Sequence, residues 1–120
     1  MHFISLFFLL FSLSYASTPY ELGKELYMKK GCYGCHGRKA EGMHNYPRLA
    51  NRAKGYLSYK LENYRKKISN TQQQEMMVGY ALDLSDSDIQ NLSLFLNEFV
   101  DEDNAQGYDY SFETHGDGGS

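Results

Sequence analysis

The chain is 120 residues long, carries two cysteines and no tryptophan, and has a formal net charge of −3 at neutral pH. That length allows one small domain with a marginal core, and the two cysteines leave no partners for a second disulfide or a four-thiolate metal site. The charge is unevenly spread: residues 17–100 hold twelve Lys and Arg against nine Asp and Glu, whereas 101–120 hold six acids and no Lys or Arg, so a mildly basic domain precedes an acidic appendage.

Residues 1–16 are read as a secretory signal peptide. The apolar run Phe3–Leu13 is too short to span a bilayer and has the length of a signal core. Ser14-Tyr15-Ala16 places small residues where a peptidase cuts, so cleavage is expected after Ala16. Only the α-amine and His2 precede the core, and an uncleaved anchor is the competing reading. No later stretch is apolar enough to cross a membrane.

Thr18-Pro19-Tyr20-Glu21 opens the first helix. Thr18 and Glu21 form a capping box, and Pro19 falls at the first helical position. The helix runs toward Gly31, with Leu22 and Leu26 on one face and Gly23 and Tyr27 on another. A glycine inside a helix costs about 1 kcal/mol relative to alanine, and close approach of a second helix is the use predicted for it.

Cys32-Tyr33-Gly34-Cys35-His36 follows. Two cysteines three apart with a histidine directly after the second read as a c-type haem attachment site. On one turn of helix both thiols project to the same side, where each can add to a haem vinyl group, and His36 can reach the iron. A thioredoxin-like pair also uses C-x-x-C but expects a βαβ context that is not found here. A zinc site needs two further ligands at matched spacing, which His44 and His115 do not supply. A disulfide across two intervening residues would be strained and gives His36 no role.

Residues 37–53 read as loop, broken by Gly37, Gly42, Asn45 and Pro47. Leu57, Leu61, Tyr64 and Ile68 then form one helical stripe, with Lys60, Arg65, Lys66 and Lys67 around it. Ser69–Gln74 is a polar break. Ser85-Asp86-Ser87-Asp88 caps the last helix, Leu84 and Ile89 can staple it, and Ile89, Leu92, Phe95, Leu96 and Phe99 form its buried face. After Val100 the chain becomes acidic and Gly-rich, and 101–120 is expected to be a disordered tail. No strand pattern or repeat stands out, so the fold class is all-α, with 17–100 as the folded domain.

An iron held by His36 has a second axial position, and a thioether is a common occupant in electron-transfer haems. Met1 leaves with the signal peptide, Met28 is too close to the attachment motif, and Met43 sits just after it. Met76 and Met77 are forty and forty-one residues past His36, the separation that a chain circling a haem needs. Residue reading alone leaves the choice within this pair open.

These motifs together resemble the class I c-type cytochromes, in particular short bacterial single-haem forms and single lobes of periplasmic dihaem cytochromes. The resemblance covers about residues 19–99. It runs through Gly23-Lys24-Glu25-Leu26-Tyr27, Gly31–Gly37, Tyr46-Pro47-Arg48-Leu49-Ala50, Tyr56–Leu61, Met76-Met77 and Leu84–Ile89. It implies a small fold of three to four helices wrapped around one covalently attached haem c, with Cys32 and Cys35 as thioethers and His36 as an iron ligand. It also implies that the Pro47 carbonyl accepts a hydrogen bond from the His36 ring, and that the first helix crosses the last near Leu92 and Phe95. Met77, eight residues before Ser85, is the implied sixth ligand, with Met76 as the alternative. Asn51-Arg52 departs from the Gly-Gln that dihaem-lobe relatives often carry, and the acidic tail lies outside the family core.

The implied function is one-electron transfer between redox protein donors and acceptors by a soluble, exported carrier in the periplasm, not an enzyme. The alternative is a haem-bearing subunit of a dehydrogenase or reductase, as in a flavocytochrome. A peroxidatic haem protein would need an open sixth position, which the methionine pair argues against. No nucleic-acid partner and no membrane span are expected in the mature chain, which is taken as a monomer.

Overall fold

A computed structural model describes residues 16–103; the expected signal peptide lies outside the described residues apart from Ala16, and so does the expected tail beyond Asp103. Among the described residues are five helices, α1 (Pro19–Lys29), α2 (Tyr33–His36), α3 (Lys54–Arg65), α4 (Gln72–Ala81) and α5 (Asp86–Asn97). The only β pairing described is an isolated bridge between Met43 and Tyr46. The all-α reading holds.

Local chemistry sets the helix ends. At α1 the Thr18 hydroxyl accepts from the Glu21 N–H at 3.2 Å, and the Glu21 carboxylate accepts from the Thr18 N–H at 3.4 Å. Ser85 and Asp88 repeat this reciprocal pair at α5, at 3.0 and 3.1 Å. Each cap satisfies donors that the first helical turn leaves without partners.

The end of α3 differs from the sequence expectation. The Ile68 N–H donates to Asn63 O and the Lys67 N–H to Tyr64 O, both at 2.9 Å, while Lys67 takes a left-handed φ of 63°. This is the Schellman ending, with lysine where glycine is usual. It leaves Ile68 outside the helix and 51% exposed, so the apolar stripe stops at Tyr64.

A further helix, α4, starts inside the stretch read as a polar break. Thr71 caps it by accepting from the Gln74 N–H at 3.1 Å, and the Gln74 side chain accepts from the Asn70 N–H at 2.9 Å. Gln72, Gln73 and Gln74 are good helix formers without apolar periodicity, so pattern reading passes over them.

α5 is the spine of the fold. α1 crosses it at Gly23, where an added Cβ would lie 2.6 Å from the Asn91 carbonyl carbon and 2.7 Å from Phe95 Cβ. The rings of Tyr20 and Tyr27 flank Phe95 at centroid distances of 5.2 and 5.6 Å. The glycine is thus the notch expected of it, and the buried face of α1 is Gly23 and Tyr27, whereas Leu22 is 39% exposed. On the other side α3 packs against α5 and α4, burying Leu57, Tyr64, Ala81, Ile89 and Leu92. Arg65 ties α3 to the start of α5, donating to Leu84 O at 3.1 Å and to the Asp86 carboxylate at 2.6 Å. No helix of the described residues is long and apolar enough to cross a membrane.

Candidate functional site

α2 is a single turn, and it carries the attachment motif. The Cys35 and His36 N–H groups both point to the Cys32 carbonyl, at 3.4 and 3.0 Å. Cys32 and Cys35 are free thiols, each half-buried, and both line one cleft of about 410 Å³. Burial pushes the Cys32 thiol above its usual pKa, which keeps its proton on sulfur in the chain as it stands.

The loop after α2 folds back under His36. The Gly42 N–H donates to the His36 carbonyl at 2.8 Å, and the Leu49 and Ala50 N–H groups converge on the Ala40 carbonyl at 2.9 and 3.0 Å. Gly42 has φ 84°, and a Cβ on it would sit 2.7 Å from the Arg48 nitrogen and 2.9 Å from Tyr46 O. Only glycine combines that backbone conformation with that approach. The closed loop brings the Pro47 carbonyl to 2.9 Å from His36 Nδ1. A carbonyl only accepts, so Nδ1 carries the proton and Nε2 keeps its lone pair for a metal. His36 itself is buried, with the Tyr46 ring edge-on at 6.3 Å between centroids.

Met76 and Met77 of α4 both line the same cleft, as does Pro47. Met77 is half-buried and packs against the core, while Met76 is 53% exposed. Every residue singled out in the sequence as a thioether former, iron ligand or support for the ligand histidine therefore borders one cavity, though α4 was not foreseen.

Sequence reading missed other parts of the wall. The Tyr27 hydroxyl donates to the Gly37 carbonyl at 2.5 Å, joining α1 to the residue after His36. Tyr27 is buried, and burial raises its pKa well above the usual phenol range. Tyr80 lines the cleft as well, beside Tyr64 of the predicted stripe and Tyr46 and Tyr56 of the motifs that carry the resemblance. The spacing of Gly23 and Tyr27 was the available signal for Tyr27. For Tyr80, the high tyrosine content of the chain was a signal without a location.

Asn51 answers the question raised by its departure from the Gly-Gln pattern. It sits at φ 62°, a conformation asparagine tolerates better than most residues, and works on α5. Its N–H donates to Leu96 O at 2.7 Å, its side-chain amide donates to Asn97 O at 3.2 Å and Phe99 O at 2.9 Å, and the Asn97 amide returns a bond to Arg52 O at 2.8 Å. Asn51 thus satisfies carbonyls at the end of α5, and Arg52 is left to line the cleft.

The donor set fits a covalent haem. Two thiols stand one helical turn apart, an imidazole is oriented with one nitrogen available, two thioethers lie in the lining, and the wall between them is largely aliphatic and aromatic. A search of curated proteins finds no match. The family model described as Cytochrome c matches residues 20–99, from the first turn of α1 to just beyond α5, so this chain belongs to the cytochrome c family and is an electron-transfer haem protein carrying haem c.

Proposed function

We propose that the chain is a diffusible one-electron carrier in which His36 and Met77 are the two axial ligands of a haem bound through Cys32 and Cys35. The observation that carries this reading is the shared cleft, which brings an oriented imidazole and a core-packed methionine to the same cavity as both thiols. The haem supplies a reversible one-electron ferric–ferrous couple.

The protein residues do the rest. Pro47 fixes the ring plane and tautomer of His36. Met77 would supply the second protein ligand to the iron, leaving no open site for a substrate, and a thioether there would favour the ferrous state and raise the potential. Leu57, Leu61, Leu92 and Leu96 exclude water from the cleft wall. The mildly basic domain then steers acidic partners toward the haem edge.

Export completes the reading: residues 1–16 direct the chain to the periplasm and are removed after Ala16, because covalent haem attachment in bacteria takes place outside the cytoplasm. One observation favours a second role as the haem subunit of a dehydrogenase or reductase. Tyr56, Met76 and Tyr80 border the cleft and are each about half exposed, an apolar rim that a permanent partner would cover.

The test is a visible spectrum with redox titration of the mature protein, produced with a haem-attachment system. A haem that stays on the denatured chain, a low-spin ferric spectrum with the weak far-red thioether band, and a positive potential are expected. A haem that extracts into acidic organic solvent would refute covalent attachment, and a high-spin ferric spectrum would refute six-coordination. Co-purification of a stoichiometric partner from the native source would favour the subunit role.

A further inference from the structure

The cleft takes a cofactor with two carboxylates, yet among the described residues no Asp or Glu lines it, and the only Lys or Arg residues there are Arg52 and Lys60. Both approach tyrosine rings of the same wall. The Arg52 guanidinium lies 5.3 Å from the centroid of Tyr56, and Lys60 Nζ lies 5.5 Å from that of Tyr64. Tyr56, Lys60 and Tyr64 recur every fourth position along one edge of α3, and Arg52 lies in the loop just before that helix. Arg52 is exposed and Lys60 half-buried, so the pair sits toward the open side of the cleft. Neither has an ion-pair partner among the described residues, although Lys39 and Arg65 do.

We propose that Arg52 and Lys60 receive the two haem propionates, and that the tyrosines on which they lie hold them in place. This rests on the haem reading above. A carboxylate taken from water into a partly apolar cleft is strongly disfavoured unless a cation or hydrogen-bond donors meet it. Guanidinium and ammonium meet that need differently: Arg52 offers a planar fork, and Lys60 a compact charge on a flexible stem. The backbone of Arg52 is already fixed, because its carbonyl accepts from Asn97 at 2.8 Å and its neighbour Asn51 is bonded to the end of α5. Cation–π contact with Tyr56 further restricts its side chain. The arginine that departs from the family pattern thus acquires a role particular to this chain.

The test uses the full holoprotein and the variants Arg52→Gln, Lys60→Gln and the double substitution, with Arg52→Lys as the conservative control. The direct readout is the propionate bending band in the resonance Raman spectrum, supported by the midpoint potential. Each glutamine variant should shift the band, and the double variant most. The potential should fall, because less positive charge beside the haem favours the ferric form. Arg52→Lys should restore most of the potential. A pyridine haemochrome spectrum on the same samples reports whether haem is attached, so failure of the haem reading is visible separately. Unchanged bands and potential in an attached, low-spin double variant would overturn the proposal. The same unchanged spectra with a slower reaction toward an acidic redox protein would assign the two cations to partner docking instead.

Discussion

Gly23 of α1 lies directly against the backbone of Asn91 in α5, with Phe95 Cβ closing the other side of the notch. No side chain fits there, so the two helices reach a separation that alanine would forbid. Gly23→Ala gains about 1 kcal/mol of helix propensity, but overpacking a filled contact costs about 1–3 kcal/mol, and the backbone of α5 is the part that must move. A net loss is expected, with a melting temperature lower by several degrees. Gly79→Ala is the matched control: Gly79 is an exposed interior position of α4 with no atom near an added Cβ, so the propensity gain stands alone and stability should rise by about 0.5–1 kcal/mol. Chemical denaturation of the two variants beside the parent decides the point, and a stabilised Gly23→Ala would show that the crossing is looser than the geometry requires.

Much of this site was legible because its chemistry depends on local spacing. Cys32, Cys35 and His36 fall within five consecutive residues, and the caps at Thr18 and Ser85 are written in four residues each. α4 was not legible, since a helix led by three glutamines has no apolar period and is held by what it packs on. Lys60 appeared only as a charge beside an apolar stripe and Arg52 only as a departure from the family pattern; that they border the cleft is a consequence of how α3 is rotated against α5 and of how the loop before α3 is tied to the end of α5. Ile68 was misplaced for the complementary reason, because its spacing fits the stripe but the helix ends before it.

The adjacent methionines separate cleanly by mutation. Successive helical residues point about 100° apart, so Met76 and Met77 cannot serve the iron equally. Met77→Ala should abolish the far-red thioether–ferric band and lower the potential. Met76→Leu should keep both, because Met76 is half exposed and the swap conserves volume. The reverse pattern in optical spectra would transfer the ligand role to Met76 and leave the fold untouched.

Lys67 holds a left-handed conformation at the end of α3, which costs a residue with a Cβ about 1 kcal/mol or more. Its N–H and that of Ile68 make the bonds of a Schellman ending, and glycine is the natural occupant of that position. Lys67→Gly should therefore stabilise the protein by about 1 kcal/mol, less the small entropy gain of the unfolded chain. The spectrum should not change, since Lys67 is not among the residues that border the cleft. A denaturation midpoint equal to or below the parent's would mean that the lysine makes compensating contacts.

Tyr27 predicts a specific alkaline instability. Burial holds its phenol protonated well above the usual range, and it donates to Gly37 O. In the unfolded chain the phenol ionises near pH 10, about the ordinary tyrosine value, while in the folded chain it keeps its proton there. The folded state therefore binds the extra proton, and its stability is complete below about pH 10 and declines as pH rises beyond that, by up to about 1.4 kcal/mol per pH unit. Tyr27→Phe should lower stability by about 1 kcal/mol at neutral pH through the lost hydrogen bond, yet flatten the alkaline decline. Urea unfolding at intervals from pH 8 to 11 measures both, and parallel declines in the two proteins would exclude Tyr27 as the linked group.

The acidic end of the chain starts on the same side of the molecule as the attachment loop. Lys39, three residues after His36, lies 3.2 Å from the Asp101 carboxylate and 3.7 Å from that of Asp103. Asp101 and Asp103 thus pair with the loop after α2, and Asp109, Glu113 and Asp117 lie beyond the described residues. Ending the chain after Asp103 leaves twelve basic and twelve acidic residues in the mature protein, a formally neutral chain before the haem is counted, in place of −3. Ending it after Val100 leaves +3 and frees Lys39. Both truncations should keep the spectrum and potential, and the melting temperature should change little because exposed ion pairs contribute weakly. Electron-transfer rates should respond instead. Toward an acidic redox protein the order should be the Val100 form fastest, then the Asp103 form, then the parent, and toward a basic one the reverse. The differences should shrink as salt rises toward a few tenths molar, where the screening length falls below about 8 Å. Stopped-flow rates across ionic strength with one acidic and one basic partner give the answer. Identical salt dependence in all three forms would show that the tail is a spacer without influence on partner choice.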